Sequence, residues 1–181
     1  ISDGIAAVPD EKYRLVLYGP PPWSALRLFR DFEKKGIVFS TIWYAAFGKT
    51  DYREDGSVAL AKTPEESGWP PMKSREDIVR TIVRWRLENK GPIHLGCVIE
   101  EATVNTVNLA RQLKGDGVVL TSQLGCVPSN LGLYDYKLAL QKAGIPVMIL
   151  AYNIADSRDN DDAKMMRQME AFVESITAFK G

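Results

Sequence analysis

Arg14-Leu15-Val16-Leu17-Tyr18-Gly19-Pro20-Pro21-Pro22 sets an apolar run of strand type directly against four residues that cannot extend a sheet. The run suits a pleated, half-buried surface, and the three prolines lack the N–H donors that a ladder needs. A strand therefore ends at Tyr18. Beyond it, Trp23, Leu26, Leu28, Phe29 and Phe32 recur near helical spacing, and Gly36 stands where a C-cap belongs, which predicts a helix over 23–35. Ile37-Val38-Phe39-Ser40-Thr41-Ile42-Trp43-Tyr44 is β-branched and aromatic and reads as a second strand. Strand, helix and strand make a βαβ unit, for which a right-handed crossover is expected.

The alternation continues to the C-terminus. Ser74 reads as the N-cap of a helix carrying Ile78, Val79, Ile82, Val83, Trp85 and Leu87 and ending near Gly91-Pro92. A further helix spans about 100–113, with Ala102, Val104, Val107, Leu109 and Leu113 along it. Val118 to Ser122 reads as a strand, Leu131 to Lys142 as a helix stopped by Gly144, Pro146 to Leu150 as a strand, and Asn160 to Phe179 as a closing helix. This pattern predicts one α/β domain over 1–181, built on a mostly parallel Rossmann- or flavodoxin-like sheet with helices on both faces. Residues 45–73 hold Gly48, Asp55-Gly56, Pro64, Gly68 and Pro70-Pro71 with little periodicity. They read as a loop excursion, a flap or an interface segment.

A chain of 181 residues with 45% apolar content supports one ordinary core. Lys plus Arg balances Asp plus Glu at 23 each, so neither nucleic acid nor a membrane surface is an expected partner. No apolar run approaches the roughly 20 residues that cross a bilayer. Two cysteines, Cys97 and Cys126, are too few for a disulfide scaffold and fit a reducing cytoplasm, with no bridge expected between them. Ile1-Ser2-Asp3-Gly4 has no initiator Met, as a processed chain or the later part of a longer one would.

Ligands of open α/β sheets bind beyond the carboxyl ends of the strands. Four loops qualify: Gly19 to Trp23, the segment from Ala45, Gln123-Leu124-Gly125-Cys126-Val127-Pro128, and Ala151 to Asp156. The third is the most informative. Cys126 lies between a strand and a helix, where N–H groups and the positive end of a helix dipole complement a thiolate, the form that soft metals and iron–sulfur clusters bind. Gly125 permits close backbone approach, and Pro128 stiffens the entry to the helix. A buried, inert Cys126 fits the same position. No His, Cys or carboxylate stands at metal spacing from it, so no complete four-ligand site is encoded. His94 and Cys97 read as structural, and Asp156, Arg158, Asp159, Asp161 and Asp162 as capping groups at the start of the last helix. No nucleophile elbow, G-x-G-x-x-G or P-loop occurs.

Taken together, several runs resemble the C-terminal half of subunits of the 2-hydroxyacyl-CoA dehydratase and benzoyl-CoA reductase family. They are Asp116-Gly117-Val118-Val119-Leu120, Gly125-Cys126, Leu138 to Val147, Asn153 to Asp159 and Ala171 to Ser175. Tyr13-Arg14-Leu15 with Gly19-Pro20-Pro21-Pro22-Trp23 is similar to the start of that family's second α/β domain. The order matches over nearly the whole chain. Because family subunits are about twice as long, the resemblance implies the second half of one, partnered by the missing N-terminal half, a homologous second subunit and an ATP-dependent activator protein. It implies a cytoplasmic iron–sulfur enzyme. The [4Fe-4S] cluster would take Cys126 as third cysteine ligand, with the remaining ligands outside this chain, and the substrate would be an acyl-CoA thioester. The activator would deliver one electron, the thioester carbonyl would become a ketyl radical, and a 2-hydroxyl group would leave. A benzoyl-CoA reductase subunit would instead take part in aromatic ring reduction. No catalytic residue is assigned; Pro22, Trp23, Trp43 and Tyr44, with Phe47 nearby, are expected to wall the substrate pocket or the subunit interface.

This sequence departs from the family where Asn-Arg commonly precedes the Gly-Cys or Ser-Cys pair: it reads Gln123-Leu124. Loss of that arginine removes a positive charge beside the expected cluster. A non-catalytic, cluster-free partner subunit would show the same departure. A flavodoxin-like nucleotide module does not fit, because Pro20-Pro21-Pro22 offers no N–H cradle for phosphate.

Overall fold

The computed structural model describes residues 8–41, 50–53, 57–88 and 99–180. Its centre is a four-stranded, wholly parallel sheet of β1 (Tyr13–Tyr18), β2 (Ile37–Thr41), β5 (Gly117–Gln123) and β6 (Val147–Tyr152), in the order β2-β1-β5-β6. The register sets Val16 beside Val118, Leu17 beside Val119, and Gln123 at the end of β5 beside Tyr152 at the end of β6. The α/β class and parallel sheet expected from the sequence are what the chain adopts.

Side chains alternate between the two faces of each strand, so each face has its own core. Leu15, Leu17, Val119, Leu150 and Tyr152 pack with Phe32 of α1 (Leu26–Glu33) and with Met165, Met169, Phe172 and Ile176 of α6 (Asp162–Lys180). Val16, Tyr18, Val118 and Leu120 pack on the other face. There they meet Ala110 of α3 (Ile99–Gln112) and Leu133 and Leu140 of α5 (Leu133–Lys142). The central strands are apolar on both sides because both sides are covered.

Two details differ from the sequence expectation. The helix expected from Trp23 opens as a 3-10 turn, Trp23–Ala25, whose first bond runs from the Ala25 N–H to the Pro22 carbonyl at 2.9 Å. Residues 45–73 are not wholly loop: β3 (Thr50–Tyr52) and β4 (Val58–Leu60) form a short antiparallel pair. The second strand is described only to Thr41, and the stretch with Trp43 and Tyr44 lies outside the described residues.

β4 is tied to α3 by one side chain. The Gln112 amide donates to the Val58 carbonyl at 2.8 Å and accepts the Val58 N–H at 2.9 Å, occupying the place of a neighbouring strand. Gln112→Ala should leave both Val58 groups to water and cost about 1 kcal/mol locally. The check is amide hydrogen exchange at Val58, which should accelerate while exchange in β5 stays unchanged.

After β4 in chain order comes α2 (Arg75–Glu88). Ser74 caps it as the sequence predicts: its Oγ accepts the Asp77 N–H at 3.1 Å, and the Asp77 carboxylate accepts the Ser74 N–H at 2.9 Å. This is a capping box with Asp in place of Glu. The Ser74 side chain, then the Lys73 backbone N–H, holds the Asp77 carboxyl below its ordinary range. A depressed carboxylate pKa contributes stability above its unfolded value, about 4, and loses it as pH falls through the folded value. Acid titration followed by NMR should therefore show the first turn of α2 fraying only below about pH 4, and Asp77→Asn should remove that pH dependence.

Candidate functional site

The connections leaving β1 and β5 part company at the middle of the sheet. From β1 the chain enters α1 on one face and proceeds to β2, whereas from β5 it enters α5 on the opposite face and proceeds to β6. The carboxyl ends of β1 and β5 thus flank a topological switch point, where doubly wound sheets open a crevice. Gly19 to Pro22 forms one lip and Leu124 to Cys126 the other.

The second lip is built from a tight turn. The Cys126 N–H donates to the Gln123 carbonyl at 3.1 Å, and Gly125 takes φ 80°, a left-handed conformation suited to a residue without Cβ. The Leu124 N–H donates to the Tyr152 carbonyl at 2.9 Å, so the turn leaves the sheet as the last rung is made. A single helical turn follows, α4 (Val127–Asn130), before Gly132 at φ 75° redirects the chain into α5. The sequence expectation of one helix from Leu131 is corrected here: Leu131 is extended and Gly132 left-handed, which separates α4 from α5. The dipole of a long helix consequently does not point at Cys126, because α4 is only four residues long and dipole effects need an extended stack of peptides.

Side chains do the positioning instead. Cys126 is a free, half-buried cysteine whose Sγ lies 3.1 Å from Ser129 Oγ. Ser129 Oγ donates to Gln123 Oε1 at 3.2 Å, Gln123 Nε2 donates to the Tyr152 hydroxyl at 3.1 Å, and that hydroxyl donates to the Pro20 carbonyl at 2.7 Å. The network joins both lips through the end of β6. Gln123 and Tyr152 are 5% and 1% exposed, so their polar groups depend on these bonds. Asn130 fastens α4 from behind, donating to the Gln123 carbonyl at 2.7 Å and accepting from the Ser122 hydroxyl at 3.1 Å.

The loop after β6 joins the same edge. Asn160 Nδ2 donates to the Asn153 carbonyl at 2.8 Å and to Ser24 Oγ at 3.2 Å, while its Oδ1 accepts the Asn153 N–H at 2.7 Å. The acidic cluster is structural, as expected: Asp156 pairs with the Arg158 guanidinium, whose proximity holds the carboxyl low, and Asp161 accepts the Lys164 N–H at 2.9 Å as the cap of α6.

Of the expected site residues, the structure brings Pro22, Trp23 and Cys126 to one edge of the sheet. Pro22 is buried, and Trp23 is half exposed beside the 3-10 turn. Trp43, Tyr44, Phe47, His94 and Cys97 lie outside the described residues. Sequence reading missed Gln123, Ser129 and Tyr152. Their signals were present: a polar residue closing an apolar strand, a serine one helical turn after the cysteine, and a tyrosine closing the neighbouring strand.

The residues present accommodate one part of a metal centre. Among the described residues, His, Cys, Asp and Glu side chains nowhere gather in threes, so Cys126 offers a single sulfur. The space where a Gly125 Cβ would stand is open to 4 Å. Such a lip leaves the approach to the Cys126 sulfur unblocked by a side chain at position 125. Around it Leu124, Val127 and Ile154 are exposed, giving the edge an apolar rim. No helix among the described residues is long and apolar enough to cross a membrane.

Fold and site define a doubly wound α/β protein that presents one anchored cysteine at the switch point of its sheet. The chain belongs to the family described as 2-hydroxyglutaryl-CoA dehydratase, D-component, whose model matches residues 1–176. No curated protein matches the sequence.

Proposed function

We propose that the chain is part of an iron–sulfur 2-hydroxyacyl-CoA dehydratase and supplies Cys126 as one ligand of a [4Fe-4S] cluster whose remaining ligands lie outside it. The observation that carries this reading is a sulfur held by four linked side-chain and backbone groups at the switch-point crevice, with no group of three or more His, Cys, Asp and Glu side chains among the described residues. An inert packing cysteine needs no such support. When bound, the cluster would pass single electrons to an acyl-CoA thioester after ATP-driven activation by a separate protein. This chain's share is to fix the sulfur, to keep water from the crevice with its apolar rim, and to wall the thioester site with Pro22, Trp23, Trp43 and Tyr44.

Assembly with further polypeptides is supported by apolar surface that the chain leaves uncovered. Ile78, Val79, Ile82 and Val83 of α2 are exposed, and with Leu60, Met72 and Trp85 the Ile82 side chain borders a cavity of about 450 Å³. Monomeric surfaces seldom gather large apolar side chains in this way. Leu124, 53% exposed where the resembled family carries arginine, favours a second reading as a cluster-free partner subunit.

The deciding experiment is anaerobic isolation with the natural companion polypeptides, followed by iron and sulfide analysis and electron paramagnetic resonance of wild type and Cys126→Ala. A [4Fe-4S] signal that the substitution abolishes or alters is the expected result. Iron-free wild type, or a cluster unmoved by Cys126→Ala, transfers the assignment to the cluster-free subunit.

A further inference from the structure

The order of donors in the Cys126 network is fixed from its far end. The Pro20 carbonyl can only accept, so the single Tyr152 hydroxyl proton is directed to it across 2.7 Å. Tyr152 Oη must then accept from the amide group that faces it at 3.1 Å, which makes that group Gln123 Nε2 and turns Oε1 toward Ser129. Oε1 takes the Ser129 hydroxyl proton at 3.2 Å. Ser129 Oγ is left as an acceptor toward Cys126, and the S–H proton points along the 3.1 Å contact. Every link has one sense, set by a backbone carbonyl on the opposite lip of the crevice.

We propose that Ser129, aligned by Gln123 and Tyr152, is the positioning residue for Cys126 Sγ: it accepts the thiol proton when the sulfur is free and donates its hydroxyl to the sulfur when the sulfur is metal-bound. A bound sulfur has no proton to give, and Ser129 is the one hydroxyl within hydrogen-bonding distance of it among the described residues. The hydroxyl that then turns to the sulfur leaves Gln123 Oε1, while the Gln123–Tyr152 and Tyr152–Pro20 bonds keep their sense. Hydrogen bonds to cluster sulfurs raise reduction potential. Ser129 would supply such a bond from this chain. The second half of this inference rests on the cluster reading, while the first half stands without it.

The test has one arm for each half. Infrared difference spectra of the metal-free full chain, wild type minus Cys126→Ala, isolate the Cys126 S–H stretch. That band should lie at the lower wavenumber of a hydrogen-bonded thiol, move to that of a free thiol in Ser129→Ala, and return in Ser129→Thr. In the reconstituted complex, redox titration of the cluster signal should move to a more negative potential in Ser129→Ala, with Ser129→Thr restoring it and iron content equal in all three. An S–H band unmoved by Ser129→Ala overturns the positioning role. A potential unmoved in a complex whose cluster does depend on Cys126 overturns the donor role alone. A complex in which Cys126→Ala leaves the cluster intact removes the cluster reading, while the infrared arm still decides the network.

Discussion

Gly19→Ala is expected to destabilise the chain by about 3 kcal/mol, combining roughly 1–3 kcal/mol of overpacking with roughly 1–3 kcal/mol for a side chain held at positive φ. Gly19 has φ 111°, and an added Cβ would stand 2.2 Å from Thr121 Oγ1 and 3.2 Å from the Thr121 carbonyl. Neither neighbour yields easily. Thr121 is 1% exposed in the central strand, and its hydroxyl donates to the Tyr18 carbonyl at 3.3 Å, one residue before the glycine. Urea unfolding should show a lower midpoint at unchanged slope. Adding Thr121→Ala should recover only the part due to the side-chain clash, because the positive φ and the carbonyl remain. Gly117 makes a useful comparison, since its Cβ would meet Ile176 Cδ1 at 2.7 Å and Phe172 Cζ at 3.0 Å, the ends of side chains that can move. A Gly19→Ala midpoint equal to wild type would mean that the first lip relaxes freely and does not define the crevice.

The strand–proline junction made this lip legible in the sequence. Three prolines cannot pair, so the end of β1 could be placed from composition alone, whereas the loop after β5 was located by the strand-type run Val118 to Ser122 before it. The parallel sheet followed from alternation, because an α/β order leaves few other ways to bury both faces of Val118-Val119-Leu120. What escaped were features set by single dihedral angles and by contacts distant along the chain. The helix expected from Leu131 begins only at Leu133, after extended Leu131 and left-handed Gly132, and the four-residue turn α4 before it is too short for helical periodicity to announce. The pair Thr50–Tyr52 and Val58–Leu60 is too short to show a period of two, and Gln112, some fifty residues later, secures it. Cys126 was found by its place between strand and helix. The residues that hold it were not, because Gln123, Ser129 and Tyr152 meet only once β5 and β6 are in register.

Tyr152→Phe is the substitution that separates that network from the packing around it, and a loss of about 2 kcal/mol is expected. The ring is 1% exposed and packed in the core with Leu17, Leu150 and Met165, and phenylalanine keeps that packing. Only the hydroxyl goes. Its removal deprives the Pro20 carbonyl of its Tyr152 donor and the Gln123 Nε2–H of its acceptor, and a polar group left unpaired in the interior costs roughly 1–3 kcal/mol. The two losses fall below simple addition because the Gln123 amide can turn. Tyr134→Phe, at a ring 75% exposed on α5, supplies the control and should stay within about 0.5 kcal/mol of wild type. Thermal and urea unfolding measure both. If the two tyrosines prove equivalent, the Tyr152 hydroxyl carries no net energy and the lips of the crevice are held by packing alone. If they differ as expected, the bond that spans the crevice is what holds Gln123, and through Ser129 the sulfur of Cys126, in one orientation before any partner arrives.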